Sequence, residues 1–150
     1  LPPRLYPLNL LLVLLLGLGA VLRRMGKEPL AGQAVVLVGL SWLAGHMAFG
    51  TMTTFSWVLV AGYVCAAWGA LALARGVRRR PWFLLAGQGV CLVLLAWAKQ
   101  PLAAGALGLA FFAQLALLLS LRFGGESGRV ARGTWPWLML SMLVAAVAIP

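Results

Sequence analysis

Six long apolar runs, separated by short polar connections, occupy most of the 150 residues of this chain. They extend over residues 5–22, 30–49, 53–74, 81–98, 101–121 and 134–150. A helix needs about 20 mainly apolar residues to cross a bilayer, and all six runs reach or approach that length, the last being the shortest. Unpaired backbone groups cannot face lipid, and the runs lack the alternating pattern of barrel strands. We therefore predict an all-α, polytopic transmembrane helix bundle of about six spans, forming a single integral membrane domain.

The composition excludes a soluble globular fold. Hydrophobic residues make up 63% of the chain and charged residues 9%, against about 45–50% and about 25% in ordinary soluble domains. A net charge of +10 would suggest nucleic acid as a partner of a soluble protein. Here the basic residues lie in short connections between apolar runs, where they direct topology and attract anionic lipid headgroups. We expect membrane lipids as partners, and no nucleic acid.

The distribution of Lys and Arg predicts the orientation of the chain. Only two of the twelve basic residues, Arg4 and Lys99, fall on one side of the six spans. The other side holds Arg23, Arg24, Lys27, Arg75, Arg78, Arg79, Arg80, Arg122, Arg129 and Arg132. By the positive-inside rule this side is cytoplasmic, both visible ends face outward, and the expected location is a bacterial inner membrane. Because the chain begins with Leu1 rather than Met, we also expect further sequence upstream.

Two segments resemble each other at a spacing of 55 residues. AGQAVVLVGLSW at 31–42 aligns without gaps to AGQGVCLVLLAW at 86–97, with eight of twelve positions identical. The pairs Gln33/Gln88 and Trp42/Trp97 carry most of the information, since Leu, Val and Ala match easily in this composition. A parallel duplication of a two-helix hairpin predicts that the members of each pair occupy equivalent positions. Coincidence within apolar low-complexity sequence is the alternative.

The segment 45–57, GHMAFGTMTTFSW, is the most polar part of the predicted outer surface. It holds the single histidine of the chain, His46, together with Thr51, Thr53 and Thr54. An intramembrane histidine can bind copper or haem, or contact a quinone, lipid or solute. The simpler hypothesis is a histidine hydrogen-bonded near the interface and threonines bonded to their own backbone. We predict no bound cofactor or metal.

Three amides and a series of small residues are candidates for contacts inside the bundle. Gln33, Gln88 and Gln114 lie in apolar runs and need hydrogen-bonding partners away from water. They can join helices or, with Trp42 and Trp97, line a substrate path. In the third run, small residues recur every four positions and allow close helix packing, either within the bundle or at a dimer interface. These residues are Gly62, Ala66, Ala70 and Ala74.

The sequence contains no recognisable catalytic motif. It has no Asp, its two acidic residues, Glu28 and Glu126, lie in predicted cytoplasmic connections, and no Cys/His cluster has metal-site spacing. Our first hypothesis is a non-catalytic integral membrane subunit, a scaffold or accessory component that packs against other membrane proteins. The alternative is a transport or flipping component for a small neutral or lipidic substrate. A membrane redox or lipid enzyme using the His46 region is third.

Overall fold

In a computed structural model of the chain, the described residues are 30–40, 42, 53–76 and 81–148, with the isolated positions 13 and 17. All regular structure in this part is helical, as predicted. Helix α1 covers Leu30–Ala34 and continues as a π-helical turn over Val35–Leu40. The other helices are α2, Thr54–Ala74; α3, Trp82–Trp97; α4, Pro101–Ser120, extended by a 3₁₀ turn at Leu121–Phe123; and α5, Ser127–Ala148.

Local sequence signals explain where several helices begin and end. Thr53 caps α2 in a capping box, in which its hydroxyl accepts from the Ser56 amide and the Ser56 hydroxyl accepts from the Thr53 amide, both at 3.3 Å. Pro101 occupies the first turn of α4, where its missing N–H costs nothing. Gly124 ends the extended α4 at a φ of 89°, a left-handed conformation that glycine adopts without a Cβ penalty.

Helices α2 to α5 form an antiparallel bundle, each packing against the next, and the contact of α5 with α2 closes it. Contacts at two levels give the antiparallel direction for α2 and α3. Gly69 lies against Leu84, whereas Gly62 lies against Gly87 and Cys91 further along α3. Helix α1 packs against the outside of the bundle along α2. This is the up-and-down arrangement of a four-helix bundle with one helix added.

Within the described part of the chain, three helices are long and apolar enough to cross a membrane: Thr54–Ala74, Pro101–Phe123 and Ser127–Ala148. They indicate an integral, multi-pass membrane protein. Helix α3 is apolar but has 16 residues, which gives it a length of about 24 Å, somewhat below the thickness of a hydrocarbon core. It lies beside α2 and α4 within the bundle.

Four of the five basic residues in the described part gather at one end of this bundle. Arg75 follows the last residue of α2, and Arg122 lies at the end of α4 beside Pro81 and Trp82 at the start of α3. Arg129 and Arg132 lie in the first turns of α5. Lys99 lies at the opposite end, after α3. We call the end that holds the four arginines the basic end.

The last helix begins earlier than its apolar run predicts. Its apolar run begins at Thr134, and the Gly- and Arg-rich segment before it resembles a loop, but the helix begins at Ser127. Val130 and Ala131 are buried in the bundle while Arg129 and Arg132 are exposed, so this segment is an amphipathic beginning of α5. Pro136 consequently lies inside the helix rather than at its start.

Helices α2 and α3 approach each other closely, backbone to backbone. A Cβ added to Gly87 would overlap the Gly62 carbonyl and lie 2.6 Å from the Ala66 nitrogen. The first two positions of the small-residue series therefore lie in a backbone-to-backbone contact, and Ala70 is buried towards the basic end. Ala74 is exposed. The series thus packs within the bundle over most of its length.

Candidate functional site

A layer of buried polar side chains crosses the bundle near the middle of α2 and α3. The Tyr63 hydroxyl donates to the Ser141 carbonyl at 2.7 Å, and the Gln88 Nε2 donates to the Ser141 hydroxyl at 2.9 Å. Ser141 in turn donates to the Leu138 carbonyl of its own helix at 2.7 Å. All three side chains are at most 1% exposed. The layer therefore ties α2 and α3 to one residue of α5.

A second buried amide links α4 to α5. Gln114 Nε2 lies 3.5 Å from the Thr134 carbonyl, at the long limit for a hydrogen bond, and the Thr134 hydroxyl donates to the Ala131 carbonyl at 2.8 Å. Both residues are fully buried. Helix α5 thus receives a polar contact from each of the other three helices of the bundle.

Each of the two buried amides is hydrogen-bonded through its nitrogen but not through its oxygen. Gln88 Oε1 and Gln114 Oε1 have no hydrogen-bond partner among the described residues. An amide oxygen left without a partner in an apolar interior costs about 1–3 kcal/mol. Each amide therefore contributes a donor to helix contacts and leaves an acceptor in the interior.

Gln33 lies in a different environment from Gln88. Its Oε1 accepts from Arg75 Nη2 at 3.0 Å in an exposed contact, and its own side chain is partly exposed. Gln88 lies deep in the bundle, next to the contact of Gly87 with Ala66. The two glutamines therefore differ in burial, Gln33 being partly exposed and Gln88 fully buried.

The tryptophan pair of the repeat also differs. Trp42 is 8% exposed within the core, whereas Trp97 is 76% exposed at the end of α3, with its ring edge-on to Phe55 at 6.0 Å. The members of both pairs therefore differ in burial. The first hairpin lies mostly outside the described residues, so its superposition on the second, and with it the duplication, stays a prediction.

The hydroxyl-rich segment is described only from Thr53 onward. Thr53 bonds to Ser56 in the capping box, and Thr54 is exposed in the first turn of α2. Both residues lie at the end of the bundle opposite the basic end. His46 and Thr51 lie outside the described residues, so the hypotheses placed on them stay predictions.

No protein-family model, curated protein or solved structure matches this chain. The layer of Tyr63, Gln88 and Ser141 offers hydrogen bonds and no carboxylate or imidazole. Within the described ranges, no group of three His, Cys, Asp or Glu residues is placed to hold a metal ion. The arrangement is suited to joining helices.

Sequence reasoning singled out the glutamines and missed their partners. Tyr63, Thr134 and Ser141 are polar residues in apolar runs, and the requirement that a buried polar group find a partner applied to them as well. The spacing within one helix gives its faces but not which neighbouring helix each face meets. The sequence therefore indicated that these three residues need hydrogen-bonding partners. It did not indicate that Gln88 and Gln114 are those partners.

Proposed function

We propose that this protein is a non-catalytic integral membrane subunit, a scaffold or accessory component that packs against other membrane proteins. The observation that carries the proposal is that the polar side chains at the centre of the bundle hydrogen-bond to other helices of the same bundle. Tyr63, Gln88 and Ser141 bond to one another across helices in a packed interior. A protein that moves or transforms a substrate needs such groups to face a cavity or cleft.

The outer surface of α4 supports the same proposal. This helix is the least buried of the three long apolar helices. Leu102, Leu109 and Phe112 are between 66% and 89% exposed along it. A continuous apolar face of this kind meets lipid or another membrane helix, and small residues beside it, such as Gly105 and Gly108, permit close approach. In the complex, we place the neighbouring subunit against this face.

The topology that we propose has six spans. The basic end lies in the cytoplasm of a bacterial cell, and the visible ends of the chain lie outside. The gathering of Arg75, Arg122, Arg129 and Arg132 at one end supports this orientation through the positive-inside rule.

Extraction of the full-length chain from its own membrane in a mild detergent tests the proposal. Native mass measurement is expected to find the chain in a complex of fixed stoichiometry with other membrane chains. An unrelated tagged multi-pass protein of similar size, extracted in the same way, controls for chains trapped in shared micelles. Recovery of the chain only as a lipid-bearing monomer would contradict the proposal.

A transport or flipping component is the second candidate, favoured by the unpartnered oxygens of Gln88 and Gln114. These two acceptors could bind a substrate if the helices separate. Reconstitution in vesicles with fluorescent phosphatidylcholine distinguishes the candidates. A subunit gives no flipping above protein-free vesicles. Flipping that disappears in both Gln88→Leu and Gln114→Leu would establish the second candidate instead.

The hypothesis of a His46 enzyme is tested by spectroscopy of the purified chain. We expect no haem absorbance and no stoichiometric copper, and unchanged folding in His46→Gln, since an amide replaces much of the hydrogen bonding of a neutral imidazole. A haem or copper signal that disappears in this variant would place the redox function first.

A further inference from the structure

A groove of about 270 Å³ lies between the start of α3 and the end of α4, at the basic end of the bundle. Leu85, Leu115, Leu118 and Leu119 form its apolar walls, and Trp82 and Arg122 stand at its mouth. Trp82 is 59% exposed and Leu119 41% exposed. The groove therefore opens on the outer surface of the bundle and not into its interior.

The groove has the length and polarity of a site for one lipid chain. Arg122 and Leu115 are seven residues apart on α4, so the apolar walls extend about 10 Å from the charge along the helix. The volume is slightly below the range of roughly 300–1,000 Å³ typical of small-molecule sites. It accommodates the first part of an acyl chain, and the rest of a lipid must lie in the bilayer.

The charge at the mouth indicates the headgroup. Arg122 is exposed and makes no ion pair among the described residues, whereas the acidic residue nearest in sequence, Glu126, lies 3.8 Å from Arg129. Guanidinium groups bind phosphate oxygens in two-pronged hydrogen bonds, and tryptophan is common at headgroup level. Basic pockets between helices at the cytoplasmic side are suited to anionic headgroups.

We propose that this groove binds one anionic phospholipid of the surrounding leaflet, with its phosphate on Arg122 and one acyl chain along Leu118 and Leu115. The site is separate from the buried polar layer and does not depend on the proposed role as a subunit. It would give the chain a bound lipid beyond the general attraction of its basic connections. Arg122 is then a ligand-binding residue, in addition to any favourable effect of its charge at a helix C-terminus.

Native mass spectrometry of the full-length chain in detergent, titrated with phosphatidylglycerol, phosphatidylcholine or inorganic phosphate, tests the proposal. We expect the first phosphatidylglycerol molecule to bind more tightly than further phosphatidylglycerol molecules, and more tightly than phosphatidylcholine. Arg122→Gln should weaken this first binding by about fivefold or more, the effect of losing one charged contact at a headgroup. Arg132→Gln is the matched control, because it removes the same charge from the basic end at an exposed residue outside the groove. It should change binding less than about twofold.

A second pair of variants tests the apolar half of the site and does not rely on Arg122. Leu119→Trp fills the groove from its exposed wall, whereas Leu143→Trp places the same side chain at an exposed position of α5 outside it. The first should abolish the preferred binding and the second should leave it unchanged. Thermal unfolding followed by circular dichroism must show that all four variants remain folded, as expected at exposed positions.

Three results would overturn the proposal. Equal losses in Arg122→Gln and Arg132→Gln would show diffuse attraction of anionic lipid to the basic end. Displacement of phosphatidylglycerol by millimolar phosphate, together with full binding in Leu119→Trp, would show an ion site without an acyl chain. A dimer that excludes the lipid and is lost in Leu119→Trp would show that a second copy of the chain occupies the groove.

Discussion

Gly87 lies where the backbones of α2 and α3 approach each other closely. A methyl group there would overlap the Gly62 carbonyl and lie 3.0 Å from the Ala66 Cβ, and both neighbours are backbone atoms or fixed directly to the backbone. Gly87→Ala should therefore lower the free energy of unfolding by about 1–3 kcal/mol, the usual cost of overpacking. The measurement is thermal unfolding in detergent, followed by circular dichroism.

Gly89, two residues further along α3, provides the matched control for Gly87. Its added Cβ would meet only the Phe111 ring, at 4.0 Å. Gly89→Ala should be neutral, or stabilising by up to about 1 kcal/mol through helix propensity. Equal effects of the two substitutions would show that the close contact between α2 and α3 is absent.

Ser141 is the residue on which the buried polar layer converges. Ser141→Ala removes the acceptor for Gln88 Nε2 but leaves the carbonyl that accepts from Tyr63. Because Gln88 would then have neither amide atom bonded, the expected loss is about 0.6–1.7 kcal/mol. Gln88→Leu should recover much of this loss in the double variant, since it removes the unpaired amide.

Ser120→Ala controls for the hydroxyl itself. Ser120 donates to the carbonyl three residues earlier at 2.6 Å, as Ser141 does, but it is exposed. Its substitution should change the melting temperature little. A double variant of Ser141 and Gln88 whose loss is the sum of the two single losses would contradict a direct bond between them.

At the scale of the helix, sequence signals gave most boundaries of α2, α3 and α4 to within one or two residues. Proline and threonine mark these boundaries, and the apolar runs between them are continuous. The start of α5 could not be predicted in the same way. Glycine and arginine have the composition of a loop, and only contact of Val130 and Ala131 with the bundle makes the segment helical.

A substitution in the first turn of α5 tests this correction. Val130 is 3% exposed, so Val130→Asn buries an amide in place of an apolar side chain and should destabilise the chain by about 2–3 kcal/mol. Gly128→Asn is the control, because a Cβ there meets no atom within 4 Å. Thermal unfolding that is the same in both variants would support a loop.

At the scale of the whole molecule, α5 explains why the bundle could not be derived from the helices one by one. Bonds from Tyr63, Gln88 and Gln114 all end on this helix. Each glutamine could be predicted to need a partner, but the partner depends on how four helices rotate against one another. The 55-residue match illustrates the same limit, since Gln33 and Gln88 share a sequence context and lie in different surroundings.

The orientation of the whole chain in the membrane can be tested by cysteine labelling. Single cysteines are introduced into a variant in which Cys65 and Cys91 are replaced by alanine, at Arg75 for the basic end and at Lys99 for the opposite end. Both native residues are exposed and follow the end of a helix, which makes them comparable targets. By the positive-inside rule, a membrane-impermeant maleimide applied to intact cells should label the Lys99 position and leave the Arg75 position unlabelled until the cells are opened. Labelling of Arg75→Cys with protection of Lys99→Cys would reverse the orientation. Labelling of both positions in intact cells would require a number of spans other than six, because antiparallel neighbours must place these two ends on opposite sides of the bilayer.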